Sequence, residues 1–184
     1  MHVLHLPMGV MFITIAGGDM TQRFIENVSK SDVFNGHHYD AGPNAMLIRI
    51  QDPATEFGAI KYPFKEVHEF EFLDAEDEDG FPDECKISDH QAKSLVLLLK
   101  QAQLNHMNVV VHCHAGICRS GAVVEVATMM GFTPTDRLRI PNLRVKHKMM
   151  QVLGWTYDAN EKHQAMNGTV TTGGIIVPIN NEWN

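Results

Sequence analysis

The residues best suited to chemistry in this 184-residue chain lie between positions 112 and 120. His112 and Cys113 are followed, after five residues, by Arg119 and Ser120. A cysteine thiolate is a strong nucleophile, and the planar guanidinium of an arginine binds the oxygens of an anion two at a time. The spacing therefore predicts a site at which a thiolate attacks a bound phosphoryl group.

The residues on either side have the pattern of a strand that turns sharply into a helix. Val109 to Val111 are β-branched and predict a buried strand, and a helix is expected over Ser120 to Met130. The N–H groups of such a turn and of the helix that follows converge on one point, where the helix dipole adds positive charge. We therefore expect Cys113 to be ionised at neutral pH and to lie beneath the bound anion.

Hydrophobic patterns elsewhere predict strands that alternate with helices. Further buried strands are expected at Val10 to Ala16, Ala45 to Ile50 and Val67 to Leu73. Further helices are expected at Met20 to Val28 with Asp19 as its cap, from Ser88 to about His106, where Ser88 and Gln91 make a capping box, and at Val145 to Leu153. Residues 29–44 and 132–142 are expected to be loops, and the short IIVPI run in the tail after Trp155 an edge strand. This alternation predicts one α/β domain over residues 1–184, with a mostly parallel central sheet.

Composition and charge limit the partners that the protein is expected to have. Apolar residues make up 44% of the chain, charged residues 20%, and the net charge is −7. A broad basic surface for nucleic acid is therefore not expected. The N-terminal apolar run is too short to span a bilayer, so no membrane partner is expected. The three cysteines, at 85, 113 and 118, fit a reducing compartment and a cytoplasmic protein.

The order His112-Cys113, five residues, Arg119-Ser120 resembles the signature of the cysteine-dependent protein tyrosine phosphatases. The order of elements over about residues 45–153 resembles the compact dual-specificity branch, in particular its small bacterial or phage-type members. Pro141-Asn142 before a helix is also similar to that branch, in which such an asparagine supports the loop. The resemblance implies hydrolysis of phosphate monoesters through a phosphocysteine without a metal or other cofactor. The implied substrates are phosphorylated proteins or small phosphoesters, above all phosphotyrosine, with phosphoserine and phosphothreonine as further candidates.

Each residue of the loop has an expected role. Cys113 is the expected nucleophile, Arg119 and the loop amides hold the phosphoryl oxygens, and Ser120 hydrogen-bonds the sulfur. The expected substrate-binding positions are His114, Ala115, Gly116, Ile117, Cys118 and Arg119, with His112 orienting the loop and Asn142 supporting it.

The resemblance also implies a general acid, an aspartate upstream of the cysteine. The stretch from Asp74 to Glu84 carries seven carboxylates in eleven residues. Asp74 follows the predicted third strand, where the resemblance puts the acid, and we therefore expect Asp74 to have this role. Asp77 is the alternative.

Other functions fit the sequence less well. An RNA 5′-phosphatase or a phosphoinositide phosphatase would favour basic residues among the five loop positions, and these contain no lysine or arginine. A silent phosphotyrosine-binding module usually lacks the nucleophile or the arginine, and both are present here. A metal site formed by the histidines and cysteines of residues 112–118 lacks zinc-knuckle spacing, and Arg119 would repel the cation. An EF-hand fails because Ala75 and Lys86 fall at ligand positions.

Two features allow more than one interpretation. Cys118 directly precedes the arginine, as in the low-molecular-weight tyrosine phosphatases, which the loop also resembles. A reversible disulfide with Cys113 that protects the nucleophile is therefore a hypothesis. Arg137, Arg139 and Arg144 flank Asn142, and are either ordinary surface charge or a means of attracting an anionic substrate.

Overall fold

The computed structural model of the protein describes residues 23–38 and 41–156, in which a parallel sheet has helices on both faces. In chain order the elements are β1 (Phe24–Ser29), α1 (Lys30–Asn35), β2 (Ala45–Gln51), β3 (Glu66–Glu71), α2 (Asp89–Leu104), β4 (Asn108–Cys113), α3 (Arg119–Met129), β5 (Thr133–Pro134) and α4 (Leu143–Val152). Two short 3-10 helices, Asp77–Asp79 and Asp83–Cys85, lie between β3 and α2. The predicted α/β fold is confirmed.

The sheet has five strands in the order β3-β2-β4-β1-β5, and every neighbouring pair is parallel. The strand β4 is central, with Cys113 opposite Ser29 of β1 and His112 opposite Arg49 of β2. Because the strands are parallel, their carboxyl ends meet at one edge of the sheet, where ligands bind in folds of this kind. Residues that follow β1, β2, β3 and β4 are therefore brought together there.

The core has two layers, one on each face of the sheet. Side chains of a strand alternate between the two faces, so Ile48 and Val111 lie in one layer, and Leu47 and Val110 in the other. The larger layer is closed by α2, α3 and α4 through the buried side chains of Leu95, Leu99, Val123, Val126, Val145 and Met149. The smaller layer is closed by α1 through Val33. Cys113 belongs to the larger layer and His112 does not.

Most of the predicted elements that lie within the described residues are confirmed, with ends that differ by a few residues. These are β2, β3, β4, α2, α3 and α4. The capping box of α2 is also confirmed, since the Ser88 side chain accepts a hydrogen bond from the N–H of Gln91. None of the helices in the described ranges has the length and apolar character needed to cross a membrane. The predicted strands at Val10 to Ala16 and in the IIVPI run lie outside the described residues.

The predicted helix over Met20 to Val28 is wrong for the residues that the structure describes, because Phe24–Ser29 is β1. This strand lies between β4 and β5, and both its faces are covered, so Ile25 and Val28 are buried on opposite sides. The expected loop over residues 29–44 also contains α1, which has a capping box formed by Ser29 and Asp32 and ends at Gly36 in the left-handed conformation. The chain before residue 45 thus belongs to the sheet and to the edge at which β4 ends.

Candidate active site

Three side chains with complementary chemistry lie at the start of α3. Cys113 is the last residue of β4, and its Sγ lies 3.2 Å from the Oγ of Ser120. Arg119 is the first residue of α3, and it is buried together with Cys113 and Ser120. The positive end of the helix dipole favours negative charge at this point. The structure thus brings together the thiol, the hydroxyl and the guanidinium that the sequence singled out.

The residues that join Cys113 to Arg119, which we call the cysteine loop (residues 113–119), turn their carbonyl groups outward. Lys30 N donates a hydrogen bond to the carbonyl of His114, and Asn27 Nδ2 donates to that of Gly116. Ile140 N donates to the carbonyl of Ile117, and Asn142 N donates to that of Cys118. A peptide N–H points opposite to its C=O because the peptide unit is planar and trans. The N–H groups of the four residues that follow these carbonyls, Ala115, Ile117, Cys118 and Arg119, are thus directed toward the interior of the loop, as in an anion-binding nest.

Gly116 allows the loop to pass close to β1. Its φ is +76°, and a Cβ at this position would lie 2.3 Å from the carbonyl carbon of Val28. The side chain of Asn27 lies beside it, where Nδ2 donates to Gly116 O at 2.7 Å and to Leu138 O at 2.9 Å. The loop is therefore fixed against β1 by a contact that tolerates no side chain at position 116.

The guanidinium of Arg119 is oriented from two neighbouring strand ends. Its Nη1 donates to Asp52 Oδ1 at 2.8 Å and to the carbonyl of Phe72 at 2.7 Å. Its Nε is buried and has no hydrogen-bond partner among the described residues, although it lies 3.8 Å from Asp74 Oδ2. A buried donor without a partner costs about 1–3 kcal/mol, and such groups call for an explanation. A bound oxyanion would supply the missing acceptor.

Asp74, the expected general acid, lies next to the cysteine loop. Asn142 Nδ2 donates to Asp74 Oδ1 at 3.0 Å, and the Asn142 side chain also caps α4 by accepting from Val145 N. Burial, followed by the negative charge of Asp74, raises the pKa of the Cys118 thiol to about 11. Cys118 is therefore protonated at neutral pH.

The alternative acid, Asp77, has a different environment. Its carboxylate pairs with Arg144 Nη1, which also lies 3.3 Å from Asp83 Oδ1. The backbone carbonyl of Asp77 accepts a hydrogen bond from Lys86 Nζ at 3.3 Å. Asp77 is thus engaged by the first turn of α4, whereas Asp74 is engaged by the side chains around the cysteine loop.

The arginines near Asn142 all have partners within the protein. Arg144 binds the acidic stretch as described above. Arg137 pairs with Glu26 and with Asp32, and Arg139 Nη1 donates to Asn27 Oδ1 and to the carbonyl of Thr135. These contacts give the three side chains structural roles, and none of the contacts depends on a substrate.

His112 is fully buried behind the loop. Its Nε2 accepts a hydrogen bond from Arg49 Nε at 3.1 Å. Burial, and then the positive charge of Arg49, lower the pKa of His112 to about 4. The ring is therefore neutral at physiological pH, and a ring that accepts at Nε2 carries its proton on Nδ1. Within the described residues no three His, Cys, Asp or Glu side chains are grouped so that they could hold a metal ion.

Three residues that contact this site were not identified as functional from the sequence. They are Asp52 beside Arg119, Asn27 beside Gly116, and Arg49 beside His112. A usable signal exists for Asp52, which directly follows β2 and thus lies at the sheet edge where the other strands end. Asn27 and Arg49 lie within strands, and no local pattern identifies their partners.

Comparison with protein-family models gives no match, and comparison with curated proteins gives none either. Among solved structures, the chain is similar to the crystal structure of Tk-PTP in the active form, a protein tyrosine phosphatase. The match covers 79% of this chain and 89% of that chain, with 9% sequence identity and a TM-score of 0.34. Because identity and TM-score are both this low, no function is transferred from that structure.

Proposed function

We propose that the protein is a phosphatase that hydrolyses phosphate monoesters through a phosphocysteine intermediate at Cys113. The observation that carries the proposal is the arrangement at the start of α3. There, a cysteine thiol lies 3.2 Å from a serine hydroxyl, at the foot of a loop whose carbonyls face outward. A thiolate, inward N–H groups and a buried arginine donor without a partner are the groups that phosphoryl transfer to sulfur needs.

In the first step the Cys113 thiolate attacks phosphorus in line with the ester oxygen. The S–P bond forms as the P–O bond breaks, and Asp74 gives its proton to the leaving oxygen. Arg119 and the loop amides hold the three equatorial oxygens, on which the charge of the transition state is spread. The hydrogen bond from Asn142 keeps the Asp74 carboxyl group beside the loop.

In the second step a water molecule cleaves the S–P bond. Asp74, now ionised, accepts a proton from this water, and inorganic phosphate and the thiolate are released. Ser120 Oγ donates a hydrogen bond to the sulfur and stabilises it as a leaving group. The neutral ring of His112 takes no part in proton transfer. Its bond to Arg49 instead holds the end of β4 in place.

The substrate class that we propose is phosphotyrosine in proteins, with phosphoserine and phosphothreonine as secondary substrates. The cysteine loop has no lysine or arginine before Arg119, which disfavours RNA 5′ ends and phosphoinositides. A silent phosphotyrosine-binding module is disfavoured because both the nucleophile and the arginine are present. All three cysteines are free, which fits the reducing environment of the cytoplasm.

The mechanism is tested with p-nitrophenyl phosphate as substrate, in the presence of a metal chelator. We expect the protein to release p-nitrophenol, and Cys113→Ser to lower kcat at least about a thousandfold because it removes the nucleophile. The variant should still bind inorganic vanadate or phosphate, since Arg119 and the loop amides remain. Full activity in Cys113→Ser, or activity that requires added metal, would overturn the mechanism.

The choice of general acid is tested with two matched variants, Asp74→Asn and Asp77→Asn. We expect Asp74→Asn to lower kcat for phenyl phosphate, whose leaving group needs a proton, about a hundredfold or more, as loss of a general acid usually does. Asp77→Asn should have a much smaller effect, because it breaks a contact with Arg144 but leaves the proton donor in place. A large loss in Asp77→Asn alone would show that the assignment of Asp74 is wrong.

A further inference from the structure

The N-cap and the first turn of α4 bind a series of groups in the acidic stretch after β3, which we call the acid-bearing segment (residues 74–85). Asn142 Nδ2 donates to Asp74 Oδ1 at 3.0 Å and approaches Ala75 O at 3.4 Å. The backbone N–H of Leu143 donates to Glu76 Oε1 at 3.2 Å. Three successive positions of the segment are thus bound by Asn142, the N-cap of α4, and by Leu143, its first residue.

Arg144 continues this series on the next residue of the helix. Its side chain is only 11% exposed, and Nη1 binds Asp77 Oδ1 and lies 3.3 Å from Asp83 Oδ1. Lys86 adds a second cation, with Nζ 3.8 Å from Asp83 Oδ1. One guanidinium thus joins two carboxylates that are six residues apart in the chain.

We propose that Arg144 is a positioning residue for the general acid, because it draws the competing carboxylates of the acid-bearing segment away from Arg119. This inference rests on the proposed function, since it concerns how Asp74 is selected for its role. Asp74 lies 3.8 Å from Arg119 Nε, whereas Asp77 and Asp83 are both held by Arg144. Arg119 thus lies near Asp74, whereas Arg144 binds Asp77 and Asp83, so the two arginines attract different carboxylates.

The physical basis is the repulsion within a stretch that carries seven carboxylates in eleven residues. Like charges at close range disfavour the compact arrangement, and the nearest buried cation would attract whichever carboxylate can reach it. Arg119 is such a cation, and phosphate must bind to it. Without Arg144, we expect the acid-bearing segment to move and Asp74 to lose its fixed position beside the leaving oxygen.

The test uses two substrates whose leaving groups differ in their need for a proton. Phenol is a poor leaving group that depends on the general acid, whereas p-nitrophenol leaves readily without one. We expect Arg144→Gln to lower kcat/KM about tenfold for phenyl phosphate and at most about twofold for p-nitrophenyl phosphate, because kcat/KM reports the first step, in which only phenol depends strongly on a proton donor. Inhibition by inorganic phosphate should change little, since Arg119 and the loop amides are intact.

The matched control is Lys148→Gln, which removes the same charge one turn further along α4. Lys148 Nζ pairs with Asp89 at the start of α2, outside the acid-bearing segment. This control should leave both rates unchanged. Arg144→Lys, which keeps the charge, should restore part of the rate for phenyl phosphate.

Equal losses on both substrates in a folded Arg144→Gln protein would overturn the inference, as would a loss of the same size in Lys148→Gln. The proposed function would survive either result, because wild-type activity and its loss in Cys113→Ser do not depend on Arg144. If Arg144→Gln does not fold, the ratio of the two rates in Arg144→Lys decides. The inference then requires a larger loss for phenyl phosphate than for p-nitrophenyl phosphate.

Discussion

The cysteine loop and the acid-bearing segment are held in place by different kinds of contact. The loop is fixed by hydrogen bonds to its carbonyl groups from buried or backbone donors, such as Asn27 and the N–H of Ile140. The acid-bearing segment is fixed largely by ion pairs, in which the carboxylates of Asp77 and Asp83 are 67% and 81% exposed. Salt should therefore have little effect on the hydrogen bonds that hold the loop of the expected nucleophile. It screens the ion pairs that hold the segment of the expected acid.

The hydrogen bonds of the loop also contribute more to stability than the ion pairs of the acid-bearing segment do. A buried hydrogen bond contributes about 1 kcal/mol, and leaving its partner unsatisfied costs about 1–3 kcal/mol. An exposed ion pair contributes about 0–1 kcal/mol. Changes in the loop should therefore damage both stability and activity, while changes in the segment should act mainly on activity.

The largest expected effect comes from an alanine at Gly116, compared with an alanine at Gly80 in the acid-bearing segment. Both glycines have positive φ, +76° and +70°. An added Cβ meets the Val28 backbone at 2.3 Å in the first case and nothing within 4 Å in the second. We expect Gly116→Ala to lower the free energy of unfolding by about 3 kcal/mol or more, and to abolish activity. Gly80→Ala should cost only about 1–2 kcal/mol, the usual strain of a left-handed alanine.

Urea denaturation and kinetics with p-nitrophenyl phosphate measure the two quantities. Equal losses of stability in the two variants would mean that conformational strain alone matters, and that the close contact of the loop with β1 does not. A Gly116→Ala protein with near wild-type activity would show that the loop has a second route past β1.

The sequence predicted the cysteine loop well because its signals are local. The spacing of Cys113, Arg119 and Ser120, and a β-branched run before them, need no knowledge of distant residues. The same holds for α2, whose capping box lies within four residues. A similar local signal at Ser29, Asp32 and Gly36 marks α1, and could have identified that helix within the expected loop.

The supports of the loop could not be predicted because their contacts are distant in the chain. Asn27 binds Gly116 and Leu138, which are 89 and 111 residues away. Glu26, its neighbour, is buried because it pairs with Arg137. Without knowledge of these partners, the adjacent polar residues Glu26 and Asn27 argue against a buried strand. The spacing of the apolar residues Met20, Phe24 and Val28 also fits a helix. Tertiary contacts therefore decided the structure of β1.

A smaller effect on stability is expected when acid protonates His112, the neutral imidazole buried behind the loop. The pKa of His112 is lowered from 6.5 to about 4, chiefly by burial. Between these two values the unfolded chain binds a proton at this histidine and the folded protein does not, so stability falls as pH decreases. The contribution of His112 is complete above about pH 6.5, and about 3 kcal/mol is lost by pH 4.

Thermal unfolding of the wild type and of His112→Gln, at intervals between pH 7 and pH 4.5, measures this loss. Glutamine keeps an acceptor for Arg49 but does not titrate, so the variant should lose less stability than the wild type over this interval. Parallel curves for the two proteins would show that His112 is not the group responsible.

The smallest expected effect is a change in the rate at which the Cys118 thiol, located where the two regions meet, is chemically labelled. Cys118 belongs to the cysteine loop, and burial, followed by the charge of Asp74 in the acid-bearing segment, raises the pKa of its thiol from 9.0 to about 11. Since the thiolate is the reactive form, iodoacetamide at pH 7.5 should modify Cys118 about a hundredfold more slowly than an unperturbed thiol. Cys85, which is partly exposed within the acid-bearing segment, is the internal control in peptide-resolved mass spectrometry of the Cys113→Ser protein. Addition of Arg144→Gln should accelerate the labelling of Cys118, because Asp74 would then leave the thiol. Rapid labelling of Cys118 without that substitution would mean that the segment does not stay against the loop in solution.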